Sequence, residues 1–357
     1  MGQEHDLASA SVDQSSVPRR VEQSRGIEAD AHQNVDTLSD VLREVRLAGS
    51  VFFLVDALTP WVATAPSSHT LLPAVLPRAQ HLISYHVIRH GECWCRMANQ
   101  PPTLLKAGDV LVVPHGDSYS LGSDPVLESE WSLDETLTWF REMAEGQAPF
   151  VVTEGGPGPE RLQIVCGFLG CDMLPFNPLL AGLPRMLRVQ ISKSESGDRL
   201  RRLIDYAVDE ARDKMAGGRC VLLRISELMF VELLRQYLLS LPPAHTGWLA
   251  ALRDPVVGRA LAMLHQRPAD DWTLEALARQ SMTSRSVLAE RFTDCLHEPP
   301  MQYLTRWRMH LAAQMLRDSH IKVATVALEV GYQSEAAFSR AFKKVVGVSP
   351  TTWRTAA

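Results

Sequence analysis

Residues 331–350 read GYQSEAAFSRAFKKVVGVSP. Phe338, Ala341, Phe342, Val345 and Val346 recur at the three- and four-residue spacing of one helix stripe. Glu335, Ala336, Ala337, Arg340, Lys343 and Lys344 are left on the opposite side. Gly331 suits a left-handed turn, Ser334 a helix N-cap, and Glu335 the positive end of the helix that follows. The stretch predicts a tight turn entering a helix with one buried and one basic face.

Shifted by 50 residues, the chain matches itself. TLEALARQSMTSRSVLAERFTDCLHEPP (273–300) lies over VATVALEVGYQSEAAFSRAFKKVVGVSP (323–350), so that Leu277 meets Ala327, Ser284 meets Ser334, Phe292 meets Phe342 and Pro300 meets Pro350. Each copy reads as a short helix, a turn and a longer helix, which is a helix-turn-helix signature found twice. The first copy is expected to bury Leu288, Phe292, Cys295 and Leu296 and to expose Arg285, Ser286, Ala289 and Glu290. Residues 301–319 between the copies form one amphipathic stretch, a helix of ~25 Å at about 1.5 Å per residue. Such a spacer holds two second helices about one DNA turn apart, ~34 Å.

These features predict DNA reading. Gln333, Ser334, Glu335 and Ala337, at the leading end of the last long helix, can come close to base edges. Arg340 can reach a guanine in bidentate fashion or a phosphate, and Lys343 and Lys344 suit phosphate neutralisation. The bland alternative is a helical bundle whose charged faces meet only water.

The motifs R-x-x-x-A-x-x-L, V-A-x-x-x-G-Y-x-S-E-x-x-F-x-x-x-F-K and G-x-S-P-x-x-W/Y-R within 306–354 resemble the DNA-binding domain of AraC/XylS-type transcription regulators. That likeness covers Asp254 to Arg354. LSDVLREVRL, HGECWCRM, KAGDVLVVPHGDSY and IVCGFL resemble the cupin-type sensor domain of a subgroup of these regulators, over about Asp36 to Leu241. The resemblance implies a β-barrel ligand-sensing domain, a helical dimerisation element, and a DNA-binding domain that recruits or blocks RNA polymerase. One departure stands out: Tyr119 occupies a place where related sequences often carry His, which puts a metal role of the barrel in doubt.

Composition agrees with such a protein. The 357 residues are 46% apolar and 22% charged, with net charge −5, ordinary for a globular chain. From Asp254 onward there are 13 Lys and Arg against 10 Asp and Glu, giving +3, so the remainder carries −8. A basic end on an acidic body hints at a polyanion partner. No secretory leader or membrane-length apolar run is present, and six scattered cysteines suit a reducing cytoplasm. The expected class is α+β. A disordered tail (1–34) precedes a cupin-like β-barrel (35–190), a helical linker or dimerisation element (191–245) and an all-α double helix-turn-helix domain (254–357). In the first half, helical spacing covers 38–47 with Gly49 as its stop. Strand-like runs follow at 50–58, 81–89, 92–97 and 103–114 with no helix between them. A short amphipathic helix is expected near 131–146 and a strand at 161–169, and everything after Pro175 reads as helical.

Ligand-binding candidates in the barrel are His81, His86, Trp94, His115 and Tyr119, with Trp61 a further pocket residue. The three histidines suggest part of a metal site, but no carboxylate joins them at a suitable spacing, and solvated or core histidines are the plainer reading. Cys93 and Cys95 share a strand face, and Cys166 and Cys171 lie near another strand's end. A four-thiolate zinc site or a redox pair is conceivable, while buried free thiols acting as small apolar groups are the default. No G-x-S-x-G, H-E-x-x-H or phosphate-cradling loop is present. The sequence therefore predicts a DNA-binding regulator, with activation the expected sense, whose barrel senses a small molecule or oxidant. No resident metal or cofactor is expected. Promoter DNA, RNA polymerase, a small effector and a second copy of the chain are the expected partners. The rivals are a cupin metal enzyme fused to a DNA-binding module and a purely architectural DNA-bending protein.

Overall fold

In the computed structural model, the described residues are 37–42, 47–172, 176–213, 215–242, 245–318 and 320–356. The expected disordered tail, 1–34, lies outside them. Helix α1 (37–42) buries Leu38 and Val41. Gly49 is no helix stop, because strand β1 (Leu47–Leu58) already runs through it. Then come β2 (Val62–Ala65), α2 (Ser68–Val75), β3 (His81–His90), β4 (Glu92–Met97), β5 (Thr103–Lys106), β6 (Asp109–Val113) and β7 (Tyr119–Gly122). Helix α3 (Leu133–Glu145), β8 (Val151–Gly155), β9 (Arg161–Cys171), α4 (Pro178–Ala181) and β10 (Leu187–Gln190) complete this half.

The strands form two sheets. The larger runs β10–β6–β3–β9–β1–β8 and the smaller β2–β7–β4–β5. A closed barrel was the expectation; the sheets are instead open layers. The physical reason is that the large sheet has two apolar faces to cover. Phe53, Ile88, Leu111 and Phe168 pack towards Cys93, Cys95 and Leu121 of the small sheet. The other face, with Ile83, Tyr85, Val112 and Val165, is covered by α5 (Glu195–Asp213) and α6 (Gly218–Ser240), through Leu200, Ile204, Met229 and Leu233. Strands buried on both faces read as unbroken apolar runs, which is why DVLVV in β6 is buried at every position. Helices α5 and α6, expected as a linker or dimerisation element, lie as a third layer on this face of the N-terminal half. Gly167 of β9 belongs to the same packing: a Cβ there would lie 2.2 Å from the ring of Tyr85.

Several elements depart from the expectation, the short strands β2 and β7 among them. α2 interrupts the strands despite Pro73 within it. β8 pairs in parallel with β1 where no element was expected, and β10 antiparallel with β6 inside a stretch read as helix. Helix α3 lies where expected, closed by a capping box between Ser132 and Glu135 and by left-handed Gly146 (φ 75°).

The last hundred residues are helical throughout: α7 (Trp248–Ala251), α8 (Val257–Gln266), α9 (Leu274–Gln280), α10 (Arg285–Leu296), α11 (Pro300–Asp318), α12 (Val323–Glu329), α13 (Glu335–Val346) and α14 (Pro350–Ala356). The repeat is real, but its register changes inside each copy. Thr283 N–H bonds to Ala278 O, and Tyr332 N–H to Ala327 O, in the same way. The structural partners are therefore Leu277 with Val326 and Ala278 with Ala327, all fully buried, and the short helices are 49 positions apart (323 − 274). Gln333 is the extra turn residue that restores the shift of 50 (335 − 285) for the long helices. The left-handed position is Met282 (φ 57°) in the first copy and Gly331 (φ 83°) in the second. Arg308, midway along α11, ties the copies together, donating to the carbonyls of Pro268 and Asp270, both at 2.7 Å, and of Gly331 at 3.4 Å.

Candidate DNA-reading surface and sensor cavity

Both long helices of the repeat are built alike. Ser284 Oγ accepts from Val287 N–H and Ser334 Oγ from Ala337 N–H, both at 3.3 Å, fixing the first turn of α10 and of α13. Leu288 and Phe292 anchor α10, and Phe338 and Phe342 anchor α13, all at 0% exposure; each such side chain contributes roughly 1.5–3 kcal/mol of burial. Cys295, Leu296, Ala341, Val345 and Val346 are only half-buried. With one face pinned, the other is turned outward. Arg285, Ser286, Glu290, Gln333, Ser334, Glu335, Arg340, Lys343 and Lys344 are exposed, and Ala289 and Ala337 half-buried at the edge. Among the described residues Arg340, Lys343 and Lys344 enter no ion pair, so their charges remain available to an outside anion. Arg291 differs: Asp254 Oδ2 holds it at 2.5 Å.

The N-terminal half holds a half-open cavity of about 650 Å³ between the two sheets and α3. Its inner end is a chain of neutral side chains. His86 Nε2 lies 2.5 Å from Tyr119 Oη, and Nδ1 lies 3.1 Å from Cys166 Sγ. Burial drives the His86 imidazole down to about 3, and pushes the Tyr119 phenol and Cys166 thiol up. Phe53, Trp61, Trp131, Trp139, Phe140 and Phe168 supply the aromatic walls, and Glu154 enters from β8.

Of the sequence-derived ligand candidates, His86 and Tyr119 line this cavity; His81, Trp94 and His115 do not. The reason is strand parity. His81 lies five positions from His86 on β3, hence on the opposite face, and its Nε2–H donates to Pro114 O at 2.7 Å. His115 Nε2–H donates to Leu183 O at 2.8 Å. Trp94 alternates with inward Cys93 and Cys95 and so points away from the cavity. His86 is thus set apart from His81 and His115, which lie near each other, and among the described residues no group of three or more His, Cys, Asp or Glu is arranged around a metal-sized site.

Parity also separates the cysteines. Cys93, Cys95 and Cys166 face the core between the sheets, whereas Cys171 faces the helices. Cys166 and Cys171 therefore cannot pair, and a four-thiolate site is not assembled. Burial pushes Cys93, Cys95 and Cys171 up to about 12, holding them as thiols. Sequence reasoning missed Trp131, Trp139, Phe140 and Glu154 as cavity residues. The amphipathic pattern of α3 located that helix but not what it covers.

Comparison with known proteins bears on both halves. A family model described as Cupin matches residues 36–239, and one described as Helix-turn-helix domain matches 277–356. HTH-type transcriptional regulator AlkR of Acinetobacter baylyi is 27% identical over 321 residues, 90% of this chain and 99% of that protein. The solved DNA-binding domain of AdpA, in complex with a target DNA, is 28% identical, covering 29% of this chain and 92% of that one at a TM-score of 0.28. A putative AraC-like transcription regulator of Streptomyces lividans is 32% identical over 277 residues, 77% of this chain and 88% of that protein. Matched at that level over most of both lengths, with a cupin half joined to a helix-turn-helix half, the chain belongs to the AraC-like transcription regulators.

Proposed function

We propose that this DNA-binding regulator is controlled by a small molecule held in the sensor cavity. The observation that carries this is the half-open, aromatic-walled space of about 650 Å³ in the half of the chain that does not read DNA, the size and character of a ligand pocket. On this reading Arg285, Ser286, Ala289 and Glu290 of α10 and Gln333, Ser334, Glu335, Ala337 and Arg340 of α13 approach bases in two successive major-groove turns. Lys343 and Lys344 neutralise phosphates. Ligand occupancy biases one arrangement of the two halves, because only differential affinity shifts an equilibrium.

The same reading gives the protein no catalytic role, places it in the cytoplasm with its promoter, and makes RNA polymerase its downstream partner, with activation the expected sense. Leu228 and Leu239, exposed 54% and 72% on one side of α6, support a homodimer through that helix. Redox sensing is the weaker alternative, since burial keeps the four candidate thiols protonated. The rival enzyme reading requires convergent metal ligands, and His81 and His115 are each engaged by a backbone carbonyl.

The test is selection of genomic DNA fragments by the purified full chain, followed by titration of the winning fragment with compounds made or consumed by products of its neighbouring genes. One compound that changes affinity for the selected fragment, and not for scrambled DNA, supports effector control. Sequence-indifferent binding would leave an architectural protein instead.

A further inference from the structure

We infer that the sensor cavity is built for an organic cation carrying apolar bulk, and that Glu154 is its counter-charge. This deepens the effector reading above and rests on it. Among the described residues lining the cavity there are three carboxylates, Glu128, Glu130 and Glu154, and neither a lysine nor an arginine. Glu154 is the inner one. It lies two positions from Val152 on β8, which packs in the core between the sheets, so its side chain is turned the same way. It adjoins Cys166, and burial pushes its carboxyl above the ordinary range. Among the described residues it has no hydrogen-bond or ion-pair partner.

The neighbouring groups offer no positive charge. His86 is held neutral, its two nitrogens engaged with Tyr119 and Cys166. Arg96 donates to the carbonyl of Leu127, a lining residue, and is not itself a lining side chain. The rings are arranged to favour a cation as well. Trp139 stands edge-on to Phe53 at 5.5 Å and 81°, and to Phe140 at 4.9 Å and 79°; Phe140 stands edge-on to Phe168 at 5.4 Å. These rings line the space, and aromatic side chains around a cavity attract a desolvated cation. Exposed Glu128 and Glu130 at the mouth add an attractive field for the same sign of charge. An anion would meet like charge from the lining carboxylates. A neutral ligand would leave Glu154 covered and unpartnered, which is costly.

Three probes separate these cases: tetraphenylphosphonium and tetraphenylborate, near-identical in shape and opposite in charge, and neutral triphenylphosphine oxide, which is one phenyl smaller. Each is titrated into the full chain, read by calorimetry and by quenching of the cavity tryptophans. The expected result is one phosphonium per chain, bound at least about tenfold tighter than the borate or the oxide. Glu154→Gln should weaken the phosphonium at least about tenfold and leave the oxide unchanged. Borate or oxide binding as tightly as the phosphonium would overturn the cation assignment while keeping an effector cavity. So would an unchanged phosphonium affinity in Glu154→Gln, or multiple adsorption insensitive to it. Failure of all three probes to bind would overturn the cavity reading and the cation assignment together. Comparison of the three probes on the unsubstituted chain decides the question even if the variant folds poorly.

Discussion

Arg317, near the end of α11, reaches Asp172, the residue after β9, at 2.5 Å, and both side chains are largely buried, 12% and 19% exposed. The pair joins the helix that bears both DNA-reading units to the strand whose Cys166 and Phe168 line the cavity. Phe176 reinforces the junction, with the Arg306 guanidinium 3.9 Å above its ring and Tyr303 edge-on at 5.7 Å. Arg317→Ala should therefore destabilise the junction by up to about 3 kcal/mol, the low end for breaking a buried pair. It should also uncouple ligand from DNA: the ratio of DNA affinities with and without bound ligand should approach one. Anisotropy titrations of Arg317→Ala and Asp172→Asn check this; an unchanged ratio in both variants would remove the pair from the coupling route.

The two turns of the repeat make a contrasting pair of predictions. Met282 holds a left-handed conformation with its side chain 75% exposed, a strain of about 1–2 kcal/mol for an L-residue that glycine avoids. Met282→Gly should raise stability, net about 0.5–1 kcal/mol after its larger chain entropy. Gly331→Ala should lower it, because in addition to the positive φ a Cβ there would meet Ala269 O at 2.5 Å. Thermal melts of the two variants moving in the same direction would contradict this.

Three histidines should make the fold acid-sensitive. Burial holds His86 and His265 down at about 3 and His310 at about 4. In the unfolded chain they titrate near 6.5. Above that value neither state binds the proton, and stability is unaffected. Below it the unfolded chain takes up protons that the folded one refuses, so stability falls with falling pH until the folded values are reached. Each histidine contributes up to about 1.4 kcal/mol per pH unit in that window. Asp56, held low by Arg161, adds a loss in the same direction at lower pH. Urea midpoints should drop between pH 7 and 5, and a flat profile would contradict neutral burial. His265 also receives Tyr303 Oη–H at 2.7 Å while Trp248 Nε1–H donates to that oxygen at 2.8 Å. Tyr303→Phe should cost about 1–3 kcal/mol by stranding both rings.

Arg340 and Lys344 should separate base reading from phosphate binding. Arg340→Ala is expected to cost about 1–3 kcal/mol on the selected site and to relax one base position. Lys344→Ala is expected to weaken all sequences alike and to lower the salt slope by about one unit. Affinities measured across a panel of site variants and salt concentrations check both; an unchanged slope takes Lys344 out of the interface.

The repeat was legible because capping serines, buried phenylalanines and helix-starting prolines are local signals that recur. What escaped was the inserted Gln333, since a one-residue change of turn alters the register of helices with little change in composition. Strands β8 and β10 escaped because Val151–Gly155 and Leu187–Gln190 are short and owe their strand form to distant partners in β1 and β6. The cavity was half legible. His86 and Tyr119 stood out by type. Excluding His81 required only the two-residue period of a strand, and placing Trp139 and Glu154 required the tertiary meeting of α3, β8 and β9. The open sheets were hidden for a related reason: apolar runs announce buried strands without saying whether a second sheet or a helix pair covers them.

The most direct measurement is a guanine-N7 methylation-protection footprint of the full chain on a selected site. Two clusters of protected guanines about 10 base pairs apart on one face of the duplex are expected, one lost in Arg285→Ala and the other in Arg340→Ala. A single cluster, or protection that ignores sequence, would contradict reading of DNA by α10 and α13 together.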